Sequence, residues 1–462
     1  MAKQISQETF DAVVKENMEE FDMSAEEAIE DAVTQFQAQG VNLSNIVRDF
    51  VMNQGETEHP VLLALKSLAS ALESTPVNLD ILAKECEVIK TQCDIDLAHR
   101  CLAGKNDAYG TLMSALEKTD DVSSHKAILS ALCSLCNGQP DLLEDTGRRR
   151  ILARIKTQQD PGLIFLMVHF IRYTCIKHEA NRRAYVDDDL IQILSDLLDQ
   201  YKNEASIVKE ACSTFRVLTF DDDIRVPFCS SHDHAKLIVT RAGALRRIME
   251  MCKDYINNRT VLGELFATLA CLAVRNEFCQ EILDLGGLQL ILETMEKNLE
   301  HSGITRQVLS VLKAIAGNDA VKIAIIDNGG AENIVTALTK HVKHSAICEI
   351  GCGALAAIVL RNPSHSKRFM EAEAADVLVK VLQLHSNEAS VEKQAGMAIR
   401  NLVARNREYC DIFLELDVEE LLQHVYRTHK DCRDETMAAL RDLGCKVELK
   451  ELWKGEGRQL EQ

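Results

Sequence analysis

At 462 residues the chain is too long for one compact core, so it either divides into domains or builds a core that extends along one axis. A formal charge of −19 argues against a non-specific nucleic-acid binder, and no apolar run approaches the ~20 residues that span a bilayer. The 16 cysteines are spread singly from Cys86 to Cys445 inside apolar helical runs and read as reduced thiols, and no apolar stretch follows the first residues as in a signal peptide; a soluble cytoplasmic or nuclear protein is expected.

Residues 1–60 hold 13 acidic and three basic residues, whereas the other 402 carry 58 and 49. An acidic N-terminal helical segment over 1–58 is therefore expected. Within it the pattern predicts a helix over 25–39, with Ser24 and Glu27 as a capping box and Gly40 as its stop, and a short helix from Ser44 to Met52. Pro60 and Pro76 punctuate two amphipathic helices, 61–73 and 79–92, read as capping helices over 59–93.

A repeat then begins. Degenerate copies place Ala108, Gly147 and Asp189 at turns. Five stronger copies follow: RAGALRRIMEM, LGGLQLILETM, NGGAENIVTAL, EAADVLVKVL and ELDVEELLQHV. Taken at Gly243, Gly287, Gly330, Ala374 and Asp417, their turns lie 44, 43, 44 and 43 residues apart. Chance similarity does not hold phase so closely. Each copy also carries a longer apolar helix, best seen in SVEKQAGMAIRNLVARN, where Ala395, Ala398, Ile399, Leu402 and Val403 form one stripe. Such a unit cannot bury its apolar face alone, so the units must stack. The interval from Asp189 to Gly243 is 54 residues, and its excess falls in 220–238, which is expected to emerge as a polar loop.

The period, the G-G-x-x-x-L-V-x-x-L entry and the third-helix run AGMAIRNLVARN (395–406) resemble the armadillo repeat. HEAT repeats share the length but lack the glycine turn. The resemblance implies an all-α armadillo-repeat right-handed superhelical solenoid, about eight repeats over 94–445 with a tail at 446–462. It implies no cofactor and no enzymatic activity, and a groove lined by the third helices where a recurring asparagine bonds an extended peptide. Asn401 matches that asparagine; the equivalent positions Ala357, Ala314, Cys271 and Val217 do not, and the single tryptophan is Trp453 in the tail. The import-receptor mode, with tryptophan and asparagine clamping lysine-rich signals, is thus poorly matched and stands as the alternative to a general protein-binding scaffold.

A different ladder recurs at the third-helix ends: Arg275-Asn276, Arg361-Asn362 and Arg405-Asn406, with Asn318 taking the arginine's place between them. Helix capping accounts for it, with asparagine in the left-handed position after the helix. Read with Arg172, Arg216, Lys313 and Arg400, the same residues make a basic groove suited to acidic or phosphorylated peptides. The acidic segment is a candidate occupant as an intramolecular ligand; protein or peptide partners, not nucleic acid or membrane, are expected.

No phosphate loop occurs, and Gly351-Cys352-Gly353 lies in a helical pattern where close packing explains it. Cys133-x-x-Cys136 lies on a helix without a preceding strand. His341, His344, Cys348 and Cys352 have the residue types of a zinc site, as have Cys229, His232, Asp233 and His234 in the insertion. In the first set the cysteines fall on a buried stripe; in the second an exposed, flexible loop is the favoured reading. Neither catalytic nor metal residues are assigned, and a metal- or thiol-dependent enzyme is the weakest alternative.

Overall fold

The computed structural model describes residues 4–48 and 59–447, and it is built from α-helices and short 3-10 turns. Contacts divide the chain into two compact units, one ending at Ala242 and one beginning at Gly243.

The first unit opens with a helical hairpin. Helix Ala25–Ala38 carries the expected capping box, with the Glu27 amide bonded to Ser24 Oγ at 3.3 Å and the Ser24 amide to the Glu27 carboxylate at 3.0 Å. Gly40 follows at φ +71°. Helix Gln7–Glu20 pairs with it, an element whose stripe the sequence conceals because Asn17 takes a buried place beside Phe10 and Val14. Phe10 and Phe36 pack at 6.1 Å in a core completed by Ala28, Ala32, Val41 and Ile46. The expected helix at 44–52 is absent over Ser44–Arg48, and residues 49–52 lie outside the described residues. That stretch turns back on the hairpin instead: Asn45 donates to Ile5 O and Gln7 brackets Val47, each at 2.8 Å.

Beyond the hairpin, a helix pair (Pro60–Glu73, Leu79–Ile95) precedes three repeats. Their longest helices, Val122–Cys136, Pro161–Cys175 and Ala205–Leu218, lie side by side with Leu79–Ile95. Local chemistry starts them cleanly: Asp160 accepts the Leu163 amide at 2.8 Å ahead of Pro161, which has no amide to satisfy. The second unit repeats this with Arg259–Leu272, Ser302–Ile315, Ser345–Val359, Ala389–Val403 and Arg433–Leu443. Ala395, Ala398, Ile399, Leu402 and Val403 are all fully buried, as the stripe predicts.

The turn between first and second helix is left-handed at Asp107, Asp189, Gly243, Gly286, Gly329, Glu373 and Asp417. Asp189, Gly243 and Asp417 are the expected turn positions. The register is one residue early elsewhere, at Asp107, Gly286, Gly329 and Glu373 rather than Ala108, Gly287, Gly330 and Ala374. The second glycine of each pair begins the next helix, and a Cβ on Gly287 would sit 2.6 Å from Ile282 O. Gly147 is no turn at all; it lies inside Asp145–Thr157, where a Cβ would come 2.1 Å from the Tyr109 hydroxyl.

The insertion is also tighter than expected. Its irregular part ends at Ser230, and Ser231–Thr240 is the first helix of the next repeat. Arg182, fully buried, bonds Glu179 at 3.1 Å and Asp222 at 2.6 Å. The Ser230 amide reaches Glu179 at 2.7 Å, and the Glu179 amide donates to Asp223 at 2.8 Å. Burial opposes ionisation of Glu179, but the Ser230 amide and the two arginines hold its carboxyl below the usual range. Arg225 holds Asp223 far below it. These charges staple the loop and leave Ile224 and Phe228 outside, 100% and 82% exposed.

Candidate peptide-binding face

In each unit the row of third helices presents one half-exposed stripe, and the nominated residues fall along or just beyond it. In the first unit, helix Pro161–Cys175 shows Phe165, His169 and Tyr173, four residues apart. Phe165 and His169 stack at 5.4 Å, and His169 meets Tyr173 edge-on at 4.3 Å. Arg172 lies over the Tyr173 ring at 4.9 Å. It is also paired with the buried Glu210, which bonds His169 at 3.0 Å. Burial works against the Glu210 charge, yet His169 and Arg172 keep its carboxyl below the ordinary value. Arg172 is therefore a neutralised member of a network rather than a free cation. Arg216 is half-buried in the last turn of Ala205–Leu218.

In the second unit the ladder splits into two jobs. Asn318 caps helix Asp319–Asp327, accepting the Ala320 amide at 2.8 Å, and donates to Asn276 O of the preceding repeat at 3.0 Å. Asn406 donates in the same way to Pro363 O at 3.1 Å, Arg405 to Arg361 O at 3.2 Å, and Asn401 to Ala356 O at 3.0 Å. These bonds sew each repeat to the one before. The capping expectation needs correcting in one respect: no asparagine of the ladder is left-handed, and the positive φ, +68°, belongs to Arg361. Asn362 is instead the residue before helix Pro363–Glu371.

The charges also sort themselves. Arg275 pairs with Glu277 at 3.5 Å, and Arg400 with Asp442 at 3.2 Å. Lys313, Arg361 and Arg405 have no carboxylate within ion-pair distance among the described residues. Five nominated residues, Arg361, Asn362, Arg400, Asn401 and Arg405, converge on a hollow of about 150 Å³ closed by Leu360, Pro363, Ser366, Ala404 and Asp442. Arg275, Asn276, Lys313 and Asn318 do not line it; Lys313 Nζ lies elsewhere on the stripe, 2.9 Å from where a Cβ on Gly353 would stand.

The basic ladder in the sequence does not include Asp442, Glu210 or the Phe165–His169–Tyr173 row. The signals existed: Asp442 follows Arg400 by one repeat, and the three rings share one helical stripe.

The histidine–cysteine sets do not converge; among the described residues no three His, Cys, Asp or Glu side chains gather to hold an ion. His341 is bonded to Leu299 O at 2.6 Å and Cys348 to Val342 O at 3.3 Å. Burial pushes the Cys348 thiol up to about 12. His234, expected on an exposed loop, is buried against Leu218 O at 2.9 Å. Cys133 and Cys136 are buried and their thiols raised by desolvation. Gly351 does serve packing, since a Cβ there would meet the Leu338 side chain at 2.6 Å.

This succession of left-handed turns and stacked third helices is the architecture of an armadillo-repeat protein, an all-α solenoid. Solved structures agree on the fold. An engineered protein matches with TM-score 0.67 at 18% identity, covering 95% of this chain and 99% of that one. A chain from a structure reported for the phosphorylation-controlled interaction of cadherin and β-catenin matches with TM-score 0.59 at 14% identity, covering 95% and 81%. The chain belongs to the armadillo repeat-containing protein 6 family: the family model matches residues 64–461 and that of its N-terminal domain residues 2–60. The Homo sapiens armadillo repeat-containing protein 6 is 41% identical over 473 residues, covering 99% of this chain and 94% of the relative. A Drosophila melanogaster homologue is 36% identical over 298 residues, 62% of each chain. No helix of the described residues is long and apolar enough to cross a membrane.

Proposed function

We propose that the protein is a non-enzymatic binding scaffold whose second-unit third-helix face takes an acidic, extended segment of a partner protein. The observation that carries this reading is the hollow on which Arg361, Arg400 and Arg405 converge, two of them without an ion-pair partner among the described residues. Guanidinium groups bind carboxylates with paired, charge-assisted hydrogen bonds, so a basic hollow on an otherwise acidic protein selects acidic ligands. The import-receptor alternative is disfavoured because Asn401 is the one asparagine at that third-helix position, with Ala357, Ala314, Cys271 and Val217 at its equivalents, and the single tryptophan is Trp453 in the tail.

The test is capture of partners by the full chain and by an Arg361→Glu, Arg405→Glu variant, followed by titration of the recovered segments. Acidic segments lost by the variant alone support the reading. Retention of every partner, or selective loss of lysine-rich ones, refutes it. The segment 1–58 is proposed as an internal competitor, since it is strongly acidic and its hairpin has a core of its own. Deleting residues 1–55 then tightens partner binding, and unchanged affinity removes that role.

A further inference from the structure

We propose that the Arg361–Arg400–Arg405 hollow is a phosphate-monoester pocket, seating a phosphorylated side chain of an acidic partner segment. This rests on the binding face above and names the chemistry of its anchor.

Charge is the first argument. Arg361, Arg400 and Arg405 line the hollow, and Asp442 is the one carboxylate among its lining residues; from outside it Asp319 acts on Arg361 and Glu435 on Arg400 at longer range. Counted over the lining residues alone, the excess is two positive charges. An aspartate or glutamate supplies a single negative charge, whereas a phosphorylated serine, threonine or tyrosine carries about −1.5 to −2 and three strong acceptor oxygens. A phosphoryl group matches the excess of the lining more closely than a single carboxylate does.

Two features of the backbone agree with that. Helix Pro363–Glu371 starts at the hollow, and its flanking residue Asn362 makes no side-chain cap bond; Pro363 has no amide and those of His365 and Ser366 bond Asn362 O, so the Ser364 amide is the one of the first turn without such a bond. Arg361 is held at φ +68°, in the left-handed region that residues with a side chain rarely adopt. A glycine would sit there unstrained; the long cationic residue that occupies the place lines the hollow instead.

Asp442 acts as the resident stand-in. One of its carboxylate oxygens accepts from Arg400 at 3.2 Å and the other from Arg441 at 3.0 Å. A phosphoryl group, with more charge and more acceptors, displaces it from Arg400; a peptide carboxylate competes for Arg400 on equal terms and is left with Arg361 and Arg405.

The experiment titrates the full-length chain, at fixed ionic strength, with two fluorescent Asp/Glu-rich peptides identical except for a central phosphoserine. The phosphorylated form is expected to bind about tenfold tighter or more. Arg361→Gln with Arg405→Gln removes the preference. Asp442→Asn tightens the phosphopeptide severalfold, a gain that misfolding cannot produce. Equal binding of the two peptides overturns the phosphate pocket and leaves the acidic-segment reading standing. Binding of neither defeats both. A phosphorylation preference that survives the double substitution overturns the location, and inorganic phosphate competing as strongly as the phosphopeptide overturns the peptide as its source.

Discussion

Replacing Glu392 with glutamine should stabilise the last repeats at neutral pH and leave them unchanged in acid. Glu392 lies in the first turn of Ala389–Val403 and is 1% exposed. Its Oε2 stands 2.9 Å from His429 Nε2, which also contacts Ser386 O at 3.2 Å. Burial raises the carboxyl from 4.5 to about 7, with His429 offsetting part of the cost. A carboxyl that holds its proton more tightly when folded adds stability while protonated in both states. That stability is lost as pH rises from 4.5 towards 7, because the folded state must then ionise a buried group. The raised value corresponds to at most about 3 kcal/mol across that window. In a repeat protein this acts locally, so the assay is amide exchange of Ala389–Val403 and Arg433–Leu443 in both proteins from about pH 4.5 to 8, corrected for intrinsic rates. The difference between wild type and Glu392→Gln should be near zero at the acid end and grow with pH. A constant difference, or a glutamine variant less stable at pH 8, would refute the assignment.

Leu402→Asp buries a charge in a fully apolar stripe, so it should abolish amide protection in the last two repeats while Ser302–Ile315 stays protected; unchanged protection contradicts the register. Arg182→Ala leaves Glu179 and Asp222 without their shared partner, which should cost about 3–5 kcal/mol and open the stretch before Ser231 to protease; an uncleaved loop argues against the staple. Asn406→Ala removes one bond between repeats and should lower stability by about 1 kcal/mol, whereas Asn318→Ala loses a cap as well and about 2 kcal/mol, compared in urea melts of the full chain. Equal losses for the two asparagines would contradict the division of roles.

The repeats were legible because stacking imposes one requirement at one phase. A buried stripe recurs wherever a third helix meets its neighbours, and Ala398 and Leu402 show it. Where a polar residue fills a buried position the signal fades, which is why Asn17 hid the first helix of the hairpin. Apart from Gly147, which lies inside a helix, the turns are legible to within one position; in a Gly-Gly pair both members are required for different reasons, since Gly286 supplies the positive φ and Gly287 the close approach to Ile282.

The candidate site was legible as residue types and spacing, but not as charge. By itself the sequence determined the helical class, the repeat length, the excess between Asp189 and Gly243, and the ladder of arginine and asparagine at helix ends. Those are properties of local periodicity, carried by every repeat separately. Only the tertiary structure decided which charges cancel. Arg172 meets Glu210 and Arg400 meets Asp442 across neighbouring repeats, some forty residues apart, while Arg361 and Arg405 are left to line a hollow. Coulomb interactions depend on distance in space rather than along the chain, so a basic ladder becomes a binding face only where stacking leaves its charges unmatched.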